Sequence, residues 1–301
     1  MDRASSMLFF KRFKRFFAQY LKHNLKLQIG LTLLIALILM ILITPIVRRI
    51  LFSNEDPLTI GKFDRYLPPS FEHPLGTDLF GRDVFILVLE GLKNSLLLGV
   101  ETGIIATLIG AFVGVLSGYK GGICDAILRT LADNMLVLPV WPILVILALY
   151  ARINDMHSFS LILAVFSWAW IARTIRAQVL YLKEMPYVDL AKVSGLGTLE
   201  IITKEITPNL LPYIGVGLSN AVISAILMES GVRLIGLGPP TVMTLGLLIQ
   251  YSMNWGVLSL GMYSIILPPI SLVIILFASL NLINTGLEEQ FNPKIKKITG
   301  E

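Results

Sequence analysis

Ionisable residues are sparse in this chain, and in three places their types and spacing could do chemistry. Glu229 and Arg233 stand four residues apart in the apolar run MESGVRLIGLG. On a helix they would share a face and pair. The run HPLGTDLFGRDV, residues 73–84, carries His73, Asp78, Arg82 and Asp83. Two readings of it stand open. One is a compact loop cross-linked by charge-assisted hydrogen bonds, with Gly76 and Gly81 permitting tight turns. The other is a cation site on His73, Asp78 and Asp83, against which Arg82 competes for the carboxylates. The third place is a polar island, residues 181–212, that holds Asp189, Lys192, Glu200, Lys204 and Glu205 between long apolar runs.

Catalysis has little to build on. No Gly-x-x-x-x-Gly-Lys-Ser/Thr loop is present, so the chain is expected not to bind or hydrolyse nucleotide itself. The histidines at 23, 73 and 157 are scattered, and no Ser/His/Asp set is suggested. Cys124 is the single cysteine, which excludes an intrachain disulfide and a cysteine metal cluster. The expectation is a protein that is not an enzyme and uses no cofactor and no metal.

The elements that must position these groups are membrane spans. Of 301 residues, 55% are hydrophobic and 15% charged. The mean hydropathy of +0.75 is too apolar for a soluble domain of this length. A spanning helix needs roughly 20 apolar residues. Runs at 27–47, 95–119, 134–150, 158–175, 213–234 and 262–283 supply six spans. Residues 1–26 mix Lys11, Arg12, Lys14 and Arg15 with Phe9, Phe10, Phe13, Phe16 and Phe17. That is an amphipathic segment for an anionic membrane face, ahead of an uncleaved signal anchor. The net charge of +5 then reports cytoplasmic loops rather than nucleic acid, for which no aromatic and basic array is present. Positive charge inside puts both termini in the cytoplasm, the tail through Lys294, Lys296 and Lys297. Arg48 and Arg49 run against that orientation.

Finer features follow from spacing. Gly110, Gly114 and Gly118, with Gly103 before them, form a small-residue ridge for close helix approach in lipid. Pro139 and Pro142 interrupt the third span and kink it. Glu101, near an outer end, either snorkels to the interface or serves the pathway. The stretch 241–261 is of intermediate polarity and partly re-entrant, with Trp255 as an interface anchor. Within the polar island, Pro186 suits the first turn of a short helix, Asp189 its N-terminal end, and Gly195 the position just past it. A second short helix from Thr198 would put Leu199, Ile202 and Ile206 on one face, before Pro208 and Pro212 punctuate the return to the membrane.

Asp189, Leu190 and Ala191, then Gly195, Ile206 and Pro208, resemble the EAA loop of permease subunits in binding-protein-dependent ABC importers. The chain departs by Asp189 for Glu and by Leu190 for a small Ala, which implies altered packing of the first short helix. Residues His73, Gly76, Asp78, Gly81, Arg82 and Asp83 resemble the signature of the dipeptide, oligopeptide and nickel branch. Glu229, Gly231, Gly236, Gly238, Pro239, Pro240 and Thr241 also match, and NLINTGLEEQFNPK resembles the family's ending with Asn292 for Asp. Arg233 stands where an apolar residue is usual, and Leu245 where Trp is. Arg233 either reshapes the translocation path or locks its pair with Glu229, and the lock is favoured.

The resemblance implies an all-α membrane protein with the type I importer permease fold. It implies a core at 95–288, a cytoplasmic coupling loop at 181–212 that docks on an ATPase, a first helix with extracytoplasmic segment at 27–94, and a tail at 289–301. The implied partners are a second homologous permease subunit, two ATP-binding subunits, an extracytoplasmic solute-binding protein and membrane lipid, in the cell membrane. Peptides, nickel or oligosaccharides would be carried by alternating access. The alternatives are an ATP-independent secondary transporter or channel, for which no internal repeat is visible, and an intramembrane enzyme.

Overall fold

The structure is a computed structural model that describes residues 24–52, 56–150 and 155–291. The basic segment up to residue 23 and the lysines of the tail lie outside the described residues. Among the described residues, nine helices follow in chain order: α1 Leu25–Phe52, α2 Val84–Lys120, α3 Gly122–Val137, α4 Val140–Tyr150, α5 Met156–Leu182, α6 Pro186–Val193, α7 Thr198–Leu234, α8 Leu245–Asn254 and α9 Tyr263–Phe291. Helices α1, α2, α5, α7 and α9 are each long and apolar enough to cross a membrane. The only β pairing among the described residues is the isolated bridge between Thr77 and Asp83.

The third expected span differs from its sequence reading. In place of one kinked helix over 134–150, α3 and α4 meet at 82° across a short break. Pro139 is the reason. A proline clashes with helical geometry at the residue before it, and Leu138 is extended, with φ −61° and ψ 135°. Helix α2 also starts well before the expected residue 95. Asp83 caps it by accepting from the Ile86 N–H at 2.9 Å. Its 37 residues make a rod of about 55 Å, so its first turns stand beyond the paired length of α5.

The glycine ridge sets the centre of the bundle. A Cβ on Gly110 would lie 2.7 Å from the Trp168 carbonyl, and one on Gly114 2.7 Å from that of Ala172. One on Gly118 would meet Val179 at 2.8 Å. The ridge of α2 therefore rests on the backbone of α5 turn by turn. Gly99 and Gly103 of α2 likewise receive Ile226 and Val222 of α7. In lipid no hydrophobic force draws helices together, so such van der Waals contact decides which helices pair. Helix α1 lies along α9 by the same means, with Gly30 against Ser279 and Gly286 against Leu27. Asn24 donates to the Gly286 carbonyl, and Lys26 pairs with Glu289. Outward-facing residues such as Leu42, Leu108, Phe112 and Ile274 are apolar and exposed, as a lipid-facing surface requires.

The loops sort to two ends. Residues 56–83 and 235–262 share one end, and the polar island 181–212 lies at the other. Replacing Gly114 by Leu should separate α2 from α5 and cost about 2 kcal/mol or more. Gly215, whose added Cβ would meet only Leu287 at 3.8 Å, should accept Ala with little change. Thermal unfolding of the two variants in one detergent checks this, and equal midpoints would contradict the ridge assignment.

Candidate functional site: two polar assemblies and a helical elbow

At the loop-rich end, residues 56–83 fold around four buried ionisable groups. Asp78 accepts from the Phe80 and Arg82 backbone N–H groups, both at 2.9 Å, and from the Arg82 Nε at 2.8 Å. Asp83 accepts from Ile86 and lies 2.9 Å from the His73 Nδ1. Burial pushes the Asp83 carboxyl above its usual range, against the opposing pull of Ile86 and His73. The three groups of the cation reading are thus divided, Asp78 to Arg82 and Asp83 to His73 and the helix start. Gly76 and Gly81 have φ of 79° and 68°, and a Cβ on either would lie within 2.3 Å of a loop carbonyl, so both turns need glycine. Trp255 does not stand alone as an interface anchor. It stacks on Tyr251 at 4.4 Å and meets Phe80 edge-on at 4.8 Å, which fastens this loop to α8.

Glu229 and Arg233 lie close by, 0% and 1% exposed. The Arg233 Nε donates to Glu229 at 3.0 Å, and its two terminal nitrogens donate to the carbonyls of Pro239 and Val242 at 2.6 and 3.0 Å. The Thr244 hydroxyl donates to Glu229 at 2.5 Å and accepts from the Leu247 N–H, capping α8. A buried ion pair repays its desolvation only when its remaining hydrogen-bonding positions are filled. Here they are filled by the connection between α7 and α8, so the arginine clamps that connection. Thr244, Ser95 and Asn94 escaped the sequence reading. Ser95 accepts from the Leu245 N–H at 3.0 Å, and Asn94 donates to the Met243 carbonyl at 2.7 Å. Thr244 ahead of an apolar run was legible as a helix cap; its reach back to Glu229 was not. Glu101, read as snorkelling to the interface or serving the pathway, pairs with His157 across α2 and α5 at 2.8 Å.

At the opposite end the polar island is an elbow. Pro186 occupies the first turn of α6, and Asp189 pairs there with Lys192 at 2.8 Å. The helix stops at Gly195, φ 81°, where Gly195 and Leu196 donate back to the carbonyls of Lys192 and Ala191. Val188 and Ala191 are buried on Ile201 and Ile206 in a core shared with α2, α3 and α5. Leu190 does not alter that packing as expected, because it points outward and is 68% exposed. The second short helix is also different. Residues Ile201–Ile206 form a π-helical turn that runs without a break into the spanning part of α7. A π turn brings residues five apart onto one face. Ile201 and Ile206 are therefore the buried pair, while Leu199 is exposed. Pro208, two residues beyond, lacks an N–H and would crowd the Lys204 carbonyl in a regular helix, and the widened turn precedes it. Asp125 of α3, a residue the sequence reading passed over, binds Arg176 of α5 through two bonds of 2.6 Å and pairs with Ser117 of α2.

Residues 107–297 match the family described as binding-protein-dependent transport system inner membrane component. The chain belongs to that family. It is 31% identical to the dipeptide transport system permease protein DppC of Bacillus subtilis over 92% of this chain and 84% of that one. It is 29% identical to the oligopeptide transport system permease protein OppC of the same organism, over 92% and 88%. An inward-facing structure of the MetNI methionine ABC transporter shares the fold, with a TM-score of 0.52 and 20% identity over 66% of this chain and 96% of that one. The protein is an inner-membrane permease subunit of a binding-protein-dependent ABC importer, all-helical and crossing the membrane several times.

In this permease, Arg233→Met alone would strand Glu229 in a dry interior and should cost about 3–5 kcal/mol. Glu229→Met with Arg233→Met should recover part of that loss. Unfolding of both variants in detergent checks the coupling, and equal losses would show that Glu229 does not depend on Arg233.

Proposed function

We propose that this permease carries peptides inward and takes its power stroke through the α6–α7 elbow. The observation that supports the reading is the elbow's division into two faces. Val188, Ala191, Ile201 and Ile206 bind it to the bundle, while Leu190, Val193 and Leu199 are 68%, 86% and 76% exposed. Leu190 and Val193 each directly follow a member of a charged pair, Asp189 and Lys192, on a helix two turns long. An exposed apolar face beside charges, on an element otherwise rigidly seated, suits docking on another protein. Burying each of these side chains would stabilise the contact by about 1.5–3 kcal/mol.

The partner in this reading is one of two separate ATP-binding subunits, which places the elbow and both termini in the cytoplasm. A second homologous permease completes the path, and an extracytoplasmic solute-binding protein delivers the cargo to the end that carries residues 56–83 and 235–262. Peptide as cargo rests on likeness to the Bacillus permeases named for oligopeptide and dipeptide transport. Nucleotide hydrolysis belongs to the partners, since this chain has no phosphate-binding loop. Mechanically, α7 is one helix from the elbow to the buried Glu229–Arg233 clamp. A push on α6 therefore passes to α7 through Val188 and Ala191 packed on Ile201 and Ile206, and from there runs to the far end along one helix. The cycle requires only that nucleotide-bound ATPases bind the two permease states with different affinity.

Leu190→Asp should lower peptide uptake by tenfold or more while protein abundance stays normal, because a charge enters the apolar contact. Gly195→Pro, which cannot adopt positive φ, or a bulky residue at Ala191 should uncouple ATP hydrolysis from uptake. Peptide uptake measured together with ATPase activity of the assembled importer decides. Normal coupled transport in these variants would remove the docking role.

A further inference from the structure

We infer that the cavity between α2, α3 and α5 at the elbow end binds the phosphate headgroup of an anionic phospholipid. The cavity is about 310 Å³. Three guanidinium groups line it: Arg129 of α3, and Arg173 and Arg176 of α5. Arg176 is committed to Asp125. Arg129 and Arg173 make no hydrogen bond or ion pair among the described residues, and Arg129 acts on Asp125 only through space. Asp133 also lines the cavity and offsets one charge, so with Asp125 spent on Arg176 the site keeps one net positive charge. Guanidinium is the side chain best shaped to hold phosphate oxygens in pairs.

The rest of the wall names the source of the phosphate. Val113 and Leu128 give the cavity an apolar side. Directly beside them in the chain, Phe112 on α2 and Ile127 and Leu131 on α3 are exposed and apolar. A soluble phosphate compound would gain nothing from that surface. A phospholipid would lay its acyl chains along it while the headgroup met the arginines, in the leaflet at the elbow end. The site also has a place to act. Its Ala132 and Ala172 belong to the same buried cluster as Val188 and Ala191 of the elbow. A headgroup bridging Arg129 and Arg173 would fasten the bent α3 to α5 next to α6.

The test uses the full-length permease, purified in mild detergent with the subunits that accompany it, and native mass spectrometry. Phosphatidylglycerol and phosphatidylcholine with the same acyl chains are supplied in turn. Phosphatidylglycerol should be retained preferentially. Arg129→Gln with Arg173→Gln should weaken that retention on the order of tenfold. Arg129→Lys with Arg173→Lys, which keeps the charge, should lose less. Both arginines lie on the cavity rim and are exposed, so thermal unfolding should match the parent. Equal retention of the two lipids, or no response to the glutamine pair, would overturn the inference. So would displacement of the lipid by millimolar inorganic phosphate at matched ionic strength, which would assign the cavity to a soluble anion.

Discussion

Everything else in this permease hangs on the backbone contact between α2 and α5. Lipid tails are as apolar as leucine, so these helices gain nothing from merely hiding side chains from water. What they gain is dense contact, and the glycines at 110, 114 and 118 permit it by removing the side chains that would hold the axes apart. The pair then becomes the frame for both ends. Beyond α5, α2 continues to Asn94 and Ser95, which hold the start of α8. At the other end Ser117 and Arg176 grip Asp125 and fix where α3 begins its course.

Charge at the loop-rich end is handled in one way: each buried ion pair is fastened to backbone through one of its members. Asp78 takes two backbone N–H groups besides Arg82, and Arg233 takes two carbonyls besides Glu229. A buried ion pair by itself is a poor source of stability, but the same pair with its polar positions filled defines a unique geometry. The loops 56–83 and 235–244 carry little regular structure, and these bonds tie them to the helix ends.

The elbow follows the opposite design. Its inner face is anchored by four apolar side chains, and its outer face is left apolar and exposed. The π turn makes the elbow's second half the end of the spanning helix α7, and α6 is packed on that end. Displacement of such an end moves the whole rod, because a helix transmits a shift along its axis with little internal give.

Much of this was legible before any coordinates. The apolar runs announced the spanning helices, the four-residue glycine spacing announced the ridge, and Pro186, Asp189 and Gly195 marked the limits of α6, because these are local rules of backbone geometry and solvation. The pairing of Glu229 with Arg233 was equally local, since four residues on a helix bring side chains together. Three outcomes belonged to the tertiary structure. The 82° turn between α3 and α4 is larger than the kink the prolines announced, because the angle at a broken span depends on what each half packs against. The choice of Ile201 over Leu199 required the π turn, whose five-residue spacing no ordinary helical pattern foretells. The meeting of Thr244, Ser95 and Asn94 around the α7–α8 connection joins residues up to 150 positions apart. Sequence spacing determines which neighbours a helix can bring together; only the packing of one helix on another decides which distant groups share a buried site.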